Sequence, residues 1–211
     1  MKKAVAVGLA TLMGAFVANA DLVTLDFTSS EYSVLNGETS AMVSDAQGSG
    51  LDLTFTATRR NGNTSESLFL TWNATAGQMD GIGIKDDEIG YGELLTIAVD
   101  PNVGLQQILI TDLFKEGNIE VGYFSVNDGT WTEFKAVVPT AGSNGELTID
   151  VDYKNVSQVA FKTKGTSTLN DFSVRGLVVN TPVSVPEPGT LSLLGLGLGC
   201  LIGLAGIRRK K

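Results

Sequence analysis

The chain has no histidine, and its one cysteine, Cys200, sits in an apolar run near the C-terminus. These absences remove whole classes of chemistry. Ser-His-Asp triads, cysteine nucleophiles and the common zinc and copper sites all need residue types missing from residues 21–185. A lone cysteine forbids any intramolecular disulfide. Gly-x-Ser-x-Gly and Walker-type loops are absent as well. Basic charge is scarce in the same stretch: 9 Lys or Arg stand against 22 Asp or Glu, a net charge of −13. That balance argues against a basic groove for nucleic acid and against adhesion to anionic lipid. Helical periodicity is also missing between the two ends. What remains for chemistry is carboxylates and aromatic rings.

The ends of the chain are the most explicit part. Lys2 and Lys3 precede an apolar stretch, Ala4 to Val17, and then Ala18-Asn19-Ala20. This is the layout of a secretory signal peptide, with signal peptidase expected to cut between Ala20 and Asp21. At the other end, residues 190–207 carry no charge, and Arg208, Arg209, Lys210 and Lys211 close the chain. An apolar helix of that length reaches about 27 Å, enough to cross a bilayer core with slight thinning. The basic cluster would stop transfer and stay on the cytoplasmic side, leaving the preceding residues outside. Both ends therefore predict one topology: domain exported, tail inside.

Just before the apolar run stands Val185-Pro186-Glu187-Pro188-Gly189-Thr190. Two prolines keep the backbone extended and prevent the helix from continuing upward. Pro-Glu-Pro, a Gly- and Leu-rich span and a terminal Arg/Lys cluster, in that order, resemble the PEP-CTERM sorting signal of Gram-negative bacteria. The resemblance covers residues 185–211 and implies that Pro186, Glu187 and Pro188 are the motif read by exosortase. It further implies a transient membrane anchor, a cell-surface or secreted destination, and an exopolysaccharide or biofilm context.

Residues 21–179 read as one all-β domain, long enough to bury a sizeable core. "DLVTLDF", "LDLTFTA", "LLTIAVD" and "ELTIDVD" alternate apolar and polar residues, the pattern of half-buried antiparallel strands. Further strand-compatible runs fall at 67–73, 105–113, 119–126, 131–138, 156–163 and 171–179. Asn36-Gly37, Asn61-Gly62, Asn127-Asp128-Gly129 and Ser143-Asn144-Gly145 supply turns. The expected fold is a single antiparallel β-sandwich, jelly-roll-like, between a signal peptide (1–20), a linker (180–189), a transmembrane helix (190–207) and a basic tail (208–211). The segment "GIGIKDDEIGYGELLTIAVD", with "LQQILITDL" and "NDFSVRGLVV", also resembles the β-sandwich domain common in PEP-CTERM proteins.

Two features of the domain bear on ligands. Asp80, Asp86, Asp87, Glu88 and Glu93 crowd one Gly-rich stretch. Such a cluster reads as a solvated acidic loop, as a calcium site, or as a carboxylate pair acting on polysaccharide. Asp171, before the last strand, joins the calcium candidates. The second feature is aromatic. Trp131 follows the Asn-Asp-Gly turn and Tyr91 lies in the acidic loop, so each could stack on a sugar; Trp72 reads as packing. The expectation is a non-enzymatic exported protein, structural or adhesive, with a calcium-stabilised carbohydrate-binding module as the alternative.

Overall fold

Period-two alternation runs through almost every segment and builds strands accordingly. In the computed structural model the described residues are 21–61, 64–75, 78–116, 118–137, 144–165 and 170–181. They form β1 (Leu22–Asp26), β2 (Ser40–Val43), β3 (Asp52–Asn61), β4 (Thr64–Ser67), β5 (Leu70–Thr75), β6 (Gln78–Ile84) and β7 (Glu93–Thr111). After these come β8 (Lys115–Glu116), β9 (Asn118–Ile119), β10 (Val121–Val126), β11 (Thr132–Lys135), β12 (Leu147–Thr163) and β13 (Ser173–Asn180). The helical elements among the described residues are two short 3-10 turns, Ser30–Leu35 and Ala46–Gly48. None of the described helices is long and apolar enough to cross a membrane.

The fold is all-β and antiparallel, as the alternation predicts. It differs from the expected set of short strands at two places. The alternation at 94–100 and the run at 105–113 read as separate strands, yet Glu93–Thr111 is one strand of 19 residues. Likewise 147–152 and 156–163 merge into β12, which has 17 residues. Both strands keep their hydrogen bonding while bending. Asp100, Pro101 and Asn102 are exposed at the bend of β7, and Asn155 takes a left-handed φ of 56° at that of β12. Register shifts in the β7–β12 pairing fall at Asp150/Tyr153, Tyr153/Val156 and Val156/Gln158. Bulges of this kind bend and twist a ladder without ending it.

The bent pair belongs to both halves of a curled sheet. The first half of β7 pairs with β3, and the last part of β12 pairs with β10 and through it with β11. The second half of β7 pairs with β13, which also carries β1 and β6, and β6 carries β5. Inward side chains of both halves share one core. Phe27, Tyr32 and Phe55 meet edge-on in it, with ring centroids 5.0 to 5.8 Å apart. The result is sandwich-like, closed by two continuous strands in place of loops.

Trp72 packs partly buried against this core and donates from Nε1 to the Phe27 carbonyl at 2.9 Å. It therefore plays the packing role read from its sequence position.

Candidate acidic pairs and an aromatic groove

Close backbone packing builds the acidic loop. Gly81 has a φ of 99°, and a Cβ there would lie 2.4 Å from the Val174 carbonyl oxygen. A Cβ on Gly83 would lie 2.1 Å from the Asp87 carbonyl. Only glycine lets β6 run this close to both β13 and the loop that follows it. The loop turns back at Lys85 (φ 67°), and the Ile84 N–H donates to the Glu88 carbonyl at 3.0 Å. The Ile89 N–H then donates to the Phe172 carbonyl at 2.7 Å, which draws Asp171 beside Glu88.

The carboxylates so gathered pair with one another. Asp80, on β6, is 6% exposed. One of its oxygens and one of Asp87 both accept from Asn73 Nδ2, at 3.1 and 3.0 Å. Asp112, just past β7, lies in hydrogen-bond range of Asp80, while its Oδ2 atom is buried with no hydrogen-bond partner. The second group is Glu88, Asp171 and Glu120, linked through hydrogen bonds that the Asp171 carboxylate accepts from each of the others. Burial, followed by the charge of Asp171, pushes the Glu88 carboxyl up to about 8. Burial and the Asp80 carboxylate push Asp112 up to about 7. Asp80 and Asp171 are raised as well, chiefly by burial. Like charges brought together out of water hold protons above the ordinary carboxylate range.

Of the acidic cluster expected from sequence, Asp80, Asp86, Asp87, Glu88 and Glu93 with Asp171, four members (Asp80, Asp87, Glu88 and Asp171) meet here, joined by Asp112 and Glu120, which the sequence does not single out. Asp86 is exposed at the rim. Among the described residues no group of three or more acidic side chains is preassembled to hold a metal ion. Glu93 belongs to a different arrangement. It is 6% exposed and accepts the Gly90 N–H at 2.9 Å, with Arg59 and Lys85 at 3.4 and 3.3 Å from its Oε1.

The aromatic side chains converge on the outward face of the sheet. Cross-strand pairing aligns Glu133 of β11 with Tyr123 of β10, and Tyr123 with Lys162 of β12. Their neighbours Phe134, Phe124 and Phe161 point the opposite way into the core. Trp131 enters β11 beside this row, and Tyr91 overhangs it from the turn before β7. Tyr91, Tyr123, Trp131 and Lys162, together with Glu93, Leu94 and Thr163, line an open groove of about 420 Å³. Lys162 Nζ lies 4.0 Å from the Trp131 ring centroid and 5.9 Å from that of Tyr123. Glu133 accepts from Tyr123 Oη at 3.1 Å and from Lys164 Nζ at 2.7 Å. A smaller cavity of about 280 Å³ lies across Tyr91, lined by Arg59, Lys85, Asp86, Glu88, Glu93 and Asp171 among others. Thus Trp131 and Tyr91, far apart in sequence, share one groove, joined there by Tyr123 and Lys162.

The family model for the PEP-CTERM protein-sorting motif matches residues 184–210. The chain carries a PEP-CTERM sorting signal. Its sorting signal marks it for export to the cell surface or beyond in a Gram-negative bacterium, with exosortase as the processing partner. The matched residues include Pro186, Glu187 and Pro188 together with Arg208, Arg209 and Lys210. No curated protein matches the chain. Among solved structures it is similar to an exo-β-1,3-galactanase from Phanerochaete chrysosporium with galactose, at 14% identity and a TM-score of 0.37. That likeness covers 76% of this chain and 29% of the galactanase. A variant of the same enzyme with β-1,3-galactotriose gives 14% identity, a TM-score of 0.36, and 77% and 29% coverage. The signal peptide up to Ala20, the linker, the sorting motif, the apolar span and the tail through Lys211 lie outside the described residues; Asp21 is the first described residue.

Proposed function

We propose that this PEP-CTERM protein is a non-catalytic adhesive component of the cell surface or extracellular matrix, and that its β domain holds polysaccharide. The observation that carries the reading is the groove of Tyr91, Tyr123 and Trp131. Rings with an apolar face and a polar edge suit the apolar face of a pyranose, while neighbouring polar groups meet its hydroxyls. The volume is in the range of small-ligand sites, and its open shape admits a chain passing through. A binding role is favoured over a hydrolytic one because Glu93, the carboxylate in the groove wall, is held by Arg59 and Lys85.

The test is affinity electrophoresis of the full chain in neutral detergent through gels containing bacterial exopolysaccharide. Trp131→Ala should weaken the affinity read from the retardation about 5- to 30-fold, since stacking on one ring is worth roughly 1–2 kcal/mol. An unchanged melting temperature should accompany the loss. Equal retardation of the wild type and Trp131→Ala would remove the groove from the function.

A second reading concerns calcium. It is supported by Asp80, Glu88, Asp112 and Asp171, whose proton affinities are raised, with Asp87 sharing Asn73 Nδ2 with Asp80. A divalent cation displaces such protons and offsets the mutual repulsion. Melting in 1 mM calcium, against melting in EDTA, should show a rise of several degrees if the cation binds the folded state, by the usual linkage, at a Kd of about 10 μM. Superimposable curves would set calcium aside.

A further inference from the structure

The charges around the groove are already matched to groups of the protein itself. Its lining holds one lysine, Lys162, and one carboxylate, Glu93. Strand register sets Arg59 of β3 opposite Glu93 of β7, and Lys85 closes on the same oxygen, at 3.4 and 3.3 Å. The Gly90 N–H donates to the other oxygen at 2.9 Å. Lys162 Nζ rests over the Trp131 ring, 4.0 Å from its centroid. Beside the groove Glu133 accepts from both Lys164 and the Tyr123 hydroxyl. The rest of the lining is the three rings, Leu94, Thr163 and two glycines, none of them charged at neutral pH. Tyr91 also borders the smaller cavity, where Asp86, Glu88 and Asp171 stand. A chain leaving the groove past Tyr91 therefore meets carboxylates, on a domain of net charge −13.

Resting on the glycan-binding reading above, we infer that the groove selects uncharged saccharides: neutral pyranose chains bind along the rings, and chains carrying uronic acid or sulfate are rejected. An anionic sugar entering the groove loses hydration and gains a counter-charge only by breaking a contact already made. A neutral pyranose has no charge to desolvate, and the rings cover its apolar face in the same way. The selectivity thus comes from what the groove withholds from the wrong ligand, since both kinds of sugar offer the rings the same face.

The test uses two pairs of polymers, each alike in backbone and different in charge. One is hydroxyethylcellulose against carboxymethylcellulose; the other is fully methyl-esterified polygalacturonate against polygalacturonate. Each is titrated into the full chain in neutral detergent with EDTA present, so that calcium bridging cannot contribute. Titrations at about 0.15 M and about 1 M salt shorten the Debye length from about 8 to about 3 Å and so screen the charge of the domain as a whole. In at least one pair the wild type should bind the neutral member about 10-fold more tightly, a difference of about 1.4 kcal/mol, and keep that preference at the higher salt. Trp131→Ala should weaken binding of the neutral member. Equal or tighter binding of the acidic members would overturn the inference while leaving the glycan-binding reading intact. A preference lost at the higher salt would belong to the net charge of the domain and overturn the role of the groove, as would neutral binding unchanged in Trp131→Ala. Binding of neither pair would also overturn the inference, and with no exopolysaccharide retardation of the wild type the glycan-binding reading falls too.

Discussion

At the scale of residues, the protonated carboxyls make the clearest statement about behaviour in solution. Glu88 and Asp112 hold their protons to about 8 and about 7, far above their values in an unfolded chain. Between about pH 4 and those values the folded state binds more protons than the unfolded one, so stability falls as pH rises. The melting temperature should therefore be higher at pH 5 than at pH 8, by several degrees, when calcium is absent. Asp112→Asn keeps a residue that tolerates the left-handed φ of 56° and removes one of the charges. It should raise the melting temperature at pH 8 by about 2–4 °C and flatten the pH dependence. A wild-type melting curve that rises between pH 5 and pH 8 would contradict this account. Only part of the arrangement could be read in advance. Asp80 to Glu88 are neighbours in sequence and stand out there, whereas Asp112 looks like a polar residue ending a strand. Its approach to Asp80 depends on β13 pairing with β7 on one side and β6 on the other.

At the scale of elements, the turn between β10 and β11 ties the groove to the bend in β12. Asn127 and Asp128 have φ of 50° and 56°, the two positive values of a type I′ turn. Asn127 Oδ1 accepts from the Ser157 and Gln158 N–H groups at 2.9 and 3.1 Å, and its Nδ2 donates to the Asn155 carbonyl at 3.0 Å. Asn127→Ala loses these bonds and strains the turn, so it should cost about 2–3 kcal/mol in chemical denaturation. Asn127→Gly relieves the backbone alone and should recover part of that loss. A smaller loss for alanine than for glycine would show that the turn is not held as described. The turn was legible from Asn-Asp-Gly. Its second task, pinning a bend in another strand, was not, because nothing in "YKNVSQ" announces that a ladder continues through it.

At the scale of the whole molecule, the sorting signal and the domain are separable claims. Deleting Pro186 to Pro188 removes the motif matched by the family model without touching the core of residues 21–181. The expected product is a full-length, membrane-retained protein whose β domain still binds polysaccharide, checked by the mass of the protein recovered from membranes and from medium. Normal release of the deletion variant would show that sorting uses another signal.

The sequence alone determined the destination and the class of fold. A sorting signal is linear and is read by other proteins, so it needs no tertiary contact to be recognisable. Strand alternation is local too, because the backbone puts successive side chains on opposite faces wherever it is extended. Absent residue types narrowed the chemistry for the same reason, since composition survives any folding. Tertiary structure alone decided which residues meet. It merged four expected strands into β7 and β12, because bulges let a ladder bend where sequence suggests an end. It set Trp131, Tyr123, Lys162 and Tyr91 around one groove through the register of β10, β11 and β12, a non-local pairing that no single segment encodes.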